Sequence, residues 1–260
     1  MLLKACLNGS RHPSEHPALP VTPKRIAAEA AAAVAAGAGS VHVHPKDRDG
    51  TDTMAPDVVG AVLTETRAAA PGVPVGVTTG AWIGPPELRI RQVGRWDVLP
   101  DFASVNWHEP GAVPLAELLL SRGVGVEAGL HRTAAVAAWR AWPHRDRTLR
   151  VLIEVVADLP VERGLAVAGE LLSALGEDTG GVPVLLHAEL TSCWAVLREA
   201  IARELDTRIG LEDTLTLPDG RIAAGNAELV RVALGLVTRW SAATAGGAGG
   251  LPGGGTPEQQ

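Results

Sequence analysis

Leu149-Arg150-Val151-Leu152-Ile153-Glu154-Val155-Val156 and Val182-Pro183-Val184-Leu185-Leu186-His187 are two short, largely apolar runs. Residues 161–175, between them, carry apolar side chains at helical spacing. Neither run alternates cleanly between apolar and polar residues, which is the pattern of a strand covered on both faces. Two covered strands joined by a helix of this length read as a βαβ unit with parallel pairing.

The same punctuation extends outward along the 260 residues. Strands are expected near 2–7, 40–44, 73–79, 101–107, 123–128, 149–156, 182–187 and 207–212. Helical patterns lie near 23–36, 55–70, 86–95, 112–122, 133–142, 161–175, 191–205 and 225–240. Thr22-Pro23 offers a capping hydroxyl before a first-turn proline, and Asn226 marks the start of the last helix. Eight βα units in a chain of this length predict an α/β protein of the (β/α)8 TIM-barrel class. No G-x-G-x-x-G follows the first strand, which argues against an open dinucleotide-binding sheet. The barrel is expected to occupy residues 1–243. Residues 244–260, with Gly246-Gly247-Ala248-Gly249-Gly250 and Gly253-Gly254-Gly255, read as a disordered tail.

Composition narrows the partners. The chain carries 23 Lys and Arg against 29 Asp and Glu, a formal charge of −6, and shows no basic stripe for nucleic acid. No apolar run reaches the roughly 18 residues of a membrane helix, so no membrane partner is expected. Two cysteines are too few for a disulfide scaffold. The cytoplasm is the expected compartment.

Chemistry concentrates in Ser40-Val41-His42-Val43-His44-Pro45-Lys46-Asp47. On a strand, residues two apart share a face, so His42 and His44 converge and can hold a divalent transition metal. Glu212, in Arg208-Ile209-Gly210-Leu211-Glu212-Asp213 at the end of the eighth expected strand, is the candidate third ligand. Strands two and eight are both even-numbered, and alternate strands share a layer at the barrel mouth. Three protein ligands with an open fourth position is the pattern of a catalytic zinc site. Arg208, Gly210 and Glu212 are expected on one face, with Gly210 leaving room between an anion-binding and a metal-binding charge.

These residues carry a family resemblance. Asn8-Gly9-Ser10-Arg11, Leu19-Pro20-Val21-Thr22-Pro23, Ala36-Gly37-Ala38, His42-Val43-His44-Pro45-Lys46-Asp47 with Gly50, Thr78-Thr79-Gly80, Arg208-Ile209-Gly210-Leu211-Glu212-Asp213 and Asn226-Ala227-Glu228-Leu229-Val230 closely resemble the β-keto acid cleavage enzymes. The resemblance implies a zinc-dependent TIM barrel, one Zn2+ per chain, which reacts a 3-oxo acid with acetyl-CoA to give acetoacetate and a new acyl-CoA. It matches His42, His44 and Glu212 to the zinc ligands and Asp213 to the general base, with Arg208 beside it. Thr78 stands where a substrate-binding serine is usual, and Glu127 resembles a further active-site carboxylate. Thr79, Gly80 and Asn106 are expected against the substrate. A homo-oligomer, a tetramer in this family, is implied as well.

Two departures from the family pattern stand out. The segment from Ser104 to Arg122 looks short, and Ala81-Trp82 follows Thr-Gly where a second glycine is common. Arg11, past the first strand, is expected at the variable end of the substrate, which favours neutral or anionic oxo acids. Two other functions fit parts of the pattern. A TIM-barrel metal hydrolase also opens with H-x-H but needs further histidine ligands, for which only His187 is placed. A barrel retaining the metal site without catalysis would bind a small acid.

Overall fold

The computed structural model describes residues 1–247, and their side chains as far as residue 243. The remainder of the expected tail lies outside the described residues. Eight parallel strands alternate with eight helices. The strands are β1 (Leu3–Cys6), β2 (Ser40–Val43), β3 (Val75–Thr78), β4 (Phe102–Asn106), β5 (Gly125–Leu130), β6 (Arg150–Val155), β7 (Val184–Ala188) and β8 (Thr207–Ile209). The helices are α1 (Pro23–Ala35), α2 (Pro56–Ala69), α3 (Pro86–Gly94), α4 (Ala112–Ser121), α5 (Thr133–Ala141), α6 (Val161–Leu175), α7 (Cys193–Ala202) and α8 (Asn226–Gly247).

Neighbouring strands pair in sequence order from β1 to β7, and β8 returns to β1. A parallel bridge between Leu185 and Asp206, with Leu186 N–H donating to Asp206 O at 2.9 Å, closes β7 onto the β8 side. The architecture is a (β/α)8 TIM barrel. Among the described residues no helix is long and apolar enough to cross a membrane.

Strand parity divides the sheet into two environments. Ala5, Val41, Val43, Val77, Val105, Val126, Ala128, Val151, Ile153 and Ile209 belong to the apolar core shared with the helices. The opposite parity contains Lys4, His42, Glu127, Glu154, His187 and Arg208, all buried. Lys4 on β1 reaches Glu127 on β5 at 2.5 Å, a contact that two strands so far apart in the sheet order can make only through the barrel interior. The interior is therefore far more polar than the continuous apolar strands suggest; Cys6, Phe102, Leu152 and Leu185 are its buried apolar members.

Local signals place the helices. Thr22 caps α1 by accepting from Arg25 N–H, and proline occupies the first turn of α1, α2 and α3, where its missing N–H costs nothing. Asn226 serves more than a helix start. Its Oδ1 accepts from Leu211 N–H at 2.9 Å and its Nδ2 donates to Leu7 O at 3.1 Å, tying the segment after β8 to the end of β1.

Candidate metal centre and active site

The site is assembled at the carboxyl ends of the strands, where a barrel's loops converge. β2 delivers His42 from its interior-facing parity, and His44 follows one residue beyond the strand. Asn8 fixes that residue: its Oδ1 accepts from His44 N–H and its Nδ2 donates to His44 O, both at 2.9 Å. The two imidazoles stand edge to face with centroids 5.3 Å apart.

Glu212 arrives by a different local route from the one expected. β8 ends at Ile209, and the chain turns at Gly210, whose carbonyl accepts from both Asp213 and Thr214 N–H. A Cβ on Gly210 would sit 1.8 Å from the Cys6 carbonyl oxygen, so the glycine permits close approach to the β1 backbone rather than opening space between two charged side chains. Gly9, at φ 55°, has a similar function: a Cβ there would fall 2.5 Å from Glu212 Cγ. With the Glu212 side chain laid over Gly9, one ligand atom each from His42, His44 and Glu212 lie within 4.8 Å of one another. His44 Nε2 is 3.8 Å from Glu212 Oε2.

The surrounding charges prepare these groups to bind a cation. Burial pushes His42 well below its ordinary range, against the attraction of Glu212. Burial opposes ionisation of Glu212, but Arg208, His44 and His42 outweigh it and hold the carboxyl low. His42 Nδ1 and Glu212 Oε2 are buried with no hydrogen-bond partner. Asp52 accepts from His44 Nδ1 at 2.7 Å and from Lys46 Nζ at 2.6 Å; burial would raise its pKa, and these partners bring it below the usual value.

Arg208 bridges the carboxylates, with Nη2 at 2.9 Å from Glu212 and 2.8 Å from Asp213, and its Nε donating to Asp213 Oδ1 at 3.0 Å. Asp213 is fully buried, and its Oδ2 has no partner. Burial, reinforced by Glu212 and opposed by Arg208, pushes Asp213 up to about 7. Behind it, His187 Nδ1 is 3.6 Å from Asp213 and His187 Nε2 is 3.2 Å from Glu154. Glu189, just after β7, lies 3.6 Å from Arg208, and burial lifts it to about 8. Leu190 adopts φ 55° and donates its N–H to Asp213 O at 2.7 Å, pinning the two loops together.

A cavity of about 460 Å³ opens above these groups. His42, His44, Glu212, Arg208, Thr78, Asn106 and Arg11 line it. Thr79 does not: its hydroxyl donates to Ser104 O at 2.6 Å, facing the β3–β4 side. Gly80 lies beneath the Trp82 ring. Arg11 sits at the mouth, donating to Leu211 O at 2.6 Å and paired with Glu15 at 2.9 Å. Glu127 requires correction. β5 begins at Gly125 because Gly123, at φ 77°, still belongs to the turn after α4, so Glu127 lies mid-strand and not at its end. It is fully buried, bound to Lys4 at 2.5 Å and Arg150 at 2.6 Å, and does not line the cavity.

Glu154, four residues along β6 from Glu127's register partner Arg150, is the buried glutamate that does line the cavity. A point one Cβ above Gly129 lies 2.7 Å from Asn106 Oδ1 and 2.8 Å from Glu154 Oε2, so two acceptors converge there. Asn106 is oriented by donating Nδ2 to Glu109, which Arg89 binds at 2.7 Å. His108 and His131 complete that wall, their centroids 3.9 Å apart. Asp52, Glu154 and Glu189 are additions that local pattern did not assign, and His187, placed at the end of the seventh strand, sits behind Asp213. Glu154 had a faint signal as a lone charge in an apolar strand.

The description of the beta-keto acid cleavage enzymes matches residues 1–139 and 151–248 of this sequence. The chain belongs to the beta-keto acid cleavage enzyme family. No curated protein matches it. In solved structures, this family member is similar to ObcA in its binary complex with oxaloacetate, with 20% identity and a TM-score of 0.69 over 88% of this chain. The ternary complex of ObcA with a C4-CoA adduct and oxalate gives 20% identity and a TM-score of 0.70 over the same share. The chain spans 64% and 65% of those two chains. A type I 3-dehydroquinate dehydratase from Clostridium difficile aligns at 13% identity and a TM-score of 0.60, covering 92% of this chain and 93% of its own. At these identities the solved structures share the barrel fold.

Proposed function

We propose that this family member reacts a 3-oxo acid with acetyl-CoA to form acetoacetate and a new acyl-CoA, acting in the cytoplasm as a homo-oligomer, a tetramer by its family resemblance. The observation that carries the reading is the convergence of His42, His44 and Glu212 beside the Arg208–Asp213 pair. Two imidazoles and a carboxylate, with buried unpartnered atoms on His42 and Glu212, fit one zinc ion with a fourth position open to substrate. When bound, zinc supplies Lewis-acid polarisation of the 3-oxo acid.

The chain's own residues account for the remaining steps. Arg208, facing the cavity, holds the substrate carboxylate. Asp213 takes a proton from C2 through its free Oδ2; a pKa near 7 suits a base at neutral pH. The C2 carbanion attacks the acetyl carbonyl of acetyl-CoA and expels the thiolate. That thiolate adds to the original 3-oxo carbon, the C2–C3 bond breaks, and the departing carbanion recovers the proton from Asp213 as acetoacetate. Glu189 is the second candidate for the base, because it lines the cavity directly whereas Asp213 lies behind Arg208 and Glu212.

The variable end of the acid faces Asn106, Glu154, His108 and His131. Arg11 is already paired with Glu15, and the polar side chains of Asn106 and Glu154 on the cavity wall favour a substituent bearing N–H or O–H over the neutral or anionic one suggested by Arg11 alone. The test supplies acetyl-CoA labelled with carbon-13 in both acetyl carbons, together with a panel of 3-oxo acids. The reading predicts acetoacetate labelled at its methyl and 3-oxo carbons, and only when both substrates are present. Cleavage of the acid in water alone would assign the barrel to hydrolysis, and binding without turnover across the panel would leave it a small-acid binder.

A further inference from the structure

One carboxylate oxygen connects the imidazole of His44 to the bulky ring that stands over it. Asp52 Oδ2 accepts from His44 Nδ1 at 2.7 Å and from Trp82 Nε1 at 2.8 Å. The other oxygen accepts from Lys46 Nζ at 2.6 Å, and the same ammonium donates to Gly9 O at 2.9 Å, beside the glycine over which Glu212 packs. Asp52 and Lys46 are both buried, and an antiparallel bridge joins their backbones.

Trp82 lies almost parallel to His44, with ring centroids 5.9 Å apart and 15° between planes. It occupies the space over Gly80, where an added Cβ would fall 2.1 Å from the indole. Yet the residue is 55% exposed, so packing alone does not hold it in place. Its indole N–H bond to Asp52 is the polar contact that does.

A carboxylate only accepts, so the ring nitrogen facing Asp52 carries the hydrogen, and in the neutral ring that leaves the lone pair on His44 Nε2. That nitrogen is the one that faces Glu212. We infer that Asp52 is a positioning residue with two linked effects: it fixes His44 as the Nδ1–H tautomer, presenting Nε2 to the metal, and it straps Trp82 over the imidazole as a cover that slows metal exchange. The inference rests on the reading of His42, His44 and Glu212 as the metal-binding set.

The test uses the full chain and three readouts: zinc affinity by chelator competition, zinc release under excess chelator, and the His44 tautomer from long-range proton–nitrogen spectra of the metal-free protein. Asp52→Asn keeps the side chain's shape but turns an amide donor or a weaker acceptor toward Nδ1. It should weaken zinc binding roughly 10–100-fold, the usual effect of losing such an outer carboxylate, and should raise the Nε2–H population of His44. Trp82→Phe keeps the stacked ring without its N–H, and should speed release while leaving affinity near wild type. Wild-type zinc affinity in Asp52→Asn, or a wild-type His44 already in the Nε2–H form, overturns the inference. The wild-type tautomer decides the matter alone if Asp52→Asn does not fold. A wild-type protein that binds no zinc would instead sink the metal reading, and the tautomer in metal-free protein would still judge Asp52.

Discussion

At the amino-terminal mouth of the barrel, Lys4, Glu127, Arg150 and Asp206 form a continuous chain of ion pairs at 2.5, 2.6 and 3.1 Å. Lys4 also lies 5.5 Å from the centre of the Phe102 ring, and Asp206 Oδ1 accepts from Leu2 N–H at 2.6 Å. At the carboxyl mouth, similar residue types gather without completing their bonds: His42 Nδ1, His187 Nδ1, Glu212 Oε2 and Asp213 Oδ2 are buried and unpartnered. Buried polar atoms are normally satisfied, and an unpaired one carries a desolvation cost of about 1–3 kcal/mol. The lower network closes a plug, whereas the upper one leaves directed lone pairs for groups that arrive later.

Substitutions at the two mouths should therefore fail in different ways. Asp213→Asn, at the upper mouth, removes the proposed base while keeping its shape. It should lower kcat by about 10²–10⁴-fold with zinc content and melting temperature maintained. If steady-state kinetics show that loss in Glu189→Gln instead, the base belongs to Glu189.

Glu127→Ala, at the lower mouth, should reverse that profile. Removing one partner of a buried ion network strands the Lys4 charge and should cost about 3–5 kcal/mol of stability, measured by denaturant unfolding. Zinc per folded chain and turnover of the folded fraction should match wild type. A catalytic defect at full stability would return Glu127 to the active site and erase the contrast between the mouths.

A smaller effect separates Glu189 from its surroundings. Its pKa rises from 4.5 to about 8 on folding, chiefly by burial. The folded state therefore binds the proton more tightly, and this contribution to stability is present below about pH 4.5 and is lost as pH rises toward 8. In metal-free protein, the melting temperature of Glu189→Gln relative to wild type should increase between pH 5 and pH 8. A difference that is flat with pH would mean that Glu189 is ionised and compensated in the fold.

The sequence made the barrel readable because the relevant signals are local. Apolar runs of strand length alternate with helical periods, and Pro23, Pro56 and Pro86 mark helix starts. His42 and His44 could be paired because two residues apart on a strand is itself a geometric statement. The choice between Glu127 and Glu154 was not local. Both are single glutamates within apolar strands, and only the register that sets Glu127 beside Arg150 leaves Glu154 at the upper mouth. The role of Gly210 is non-local for a related reason: it depends on the Cys6 carbonyl, on the first strand of the barrel. Asp52 follows His44 by eight residues with no periodic relation, and its role appears only when the loop folds back through the Lys46–Asp52 bridge.

The most direct test of the His42–His44–Glu212 metal centre is the metal content of the purified protein compared with that of a His42→Ala/His44→Ala variant, measured by elemental analysis after removal of loosely bound ions. About one zinc per wild-type chain and essentially none in the variant are expected, with the far-ultraviolet circular dichroism of a folded barrel retained in both. Full zinc occupancy in the folded variant, or a wild-type chain that takes up no zinc on reconstitution, would contradict it.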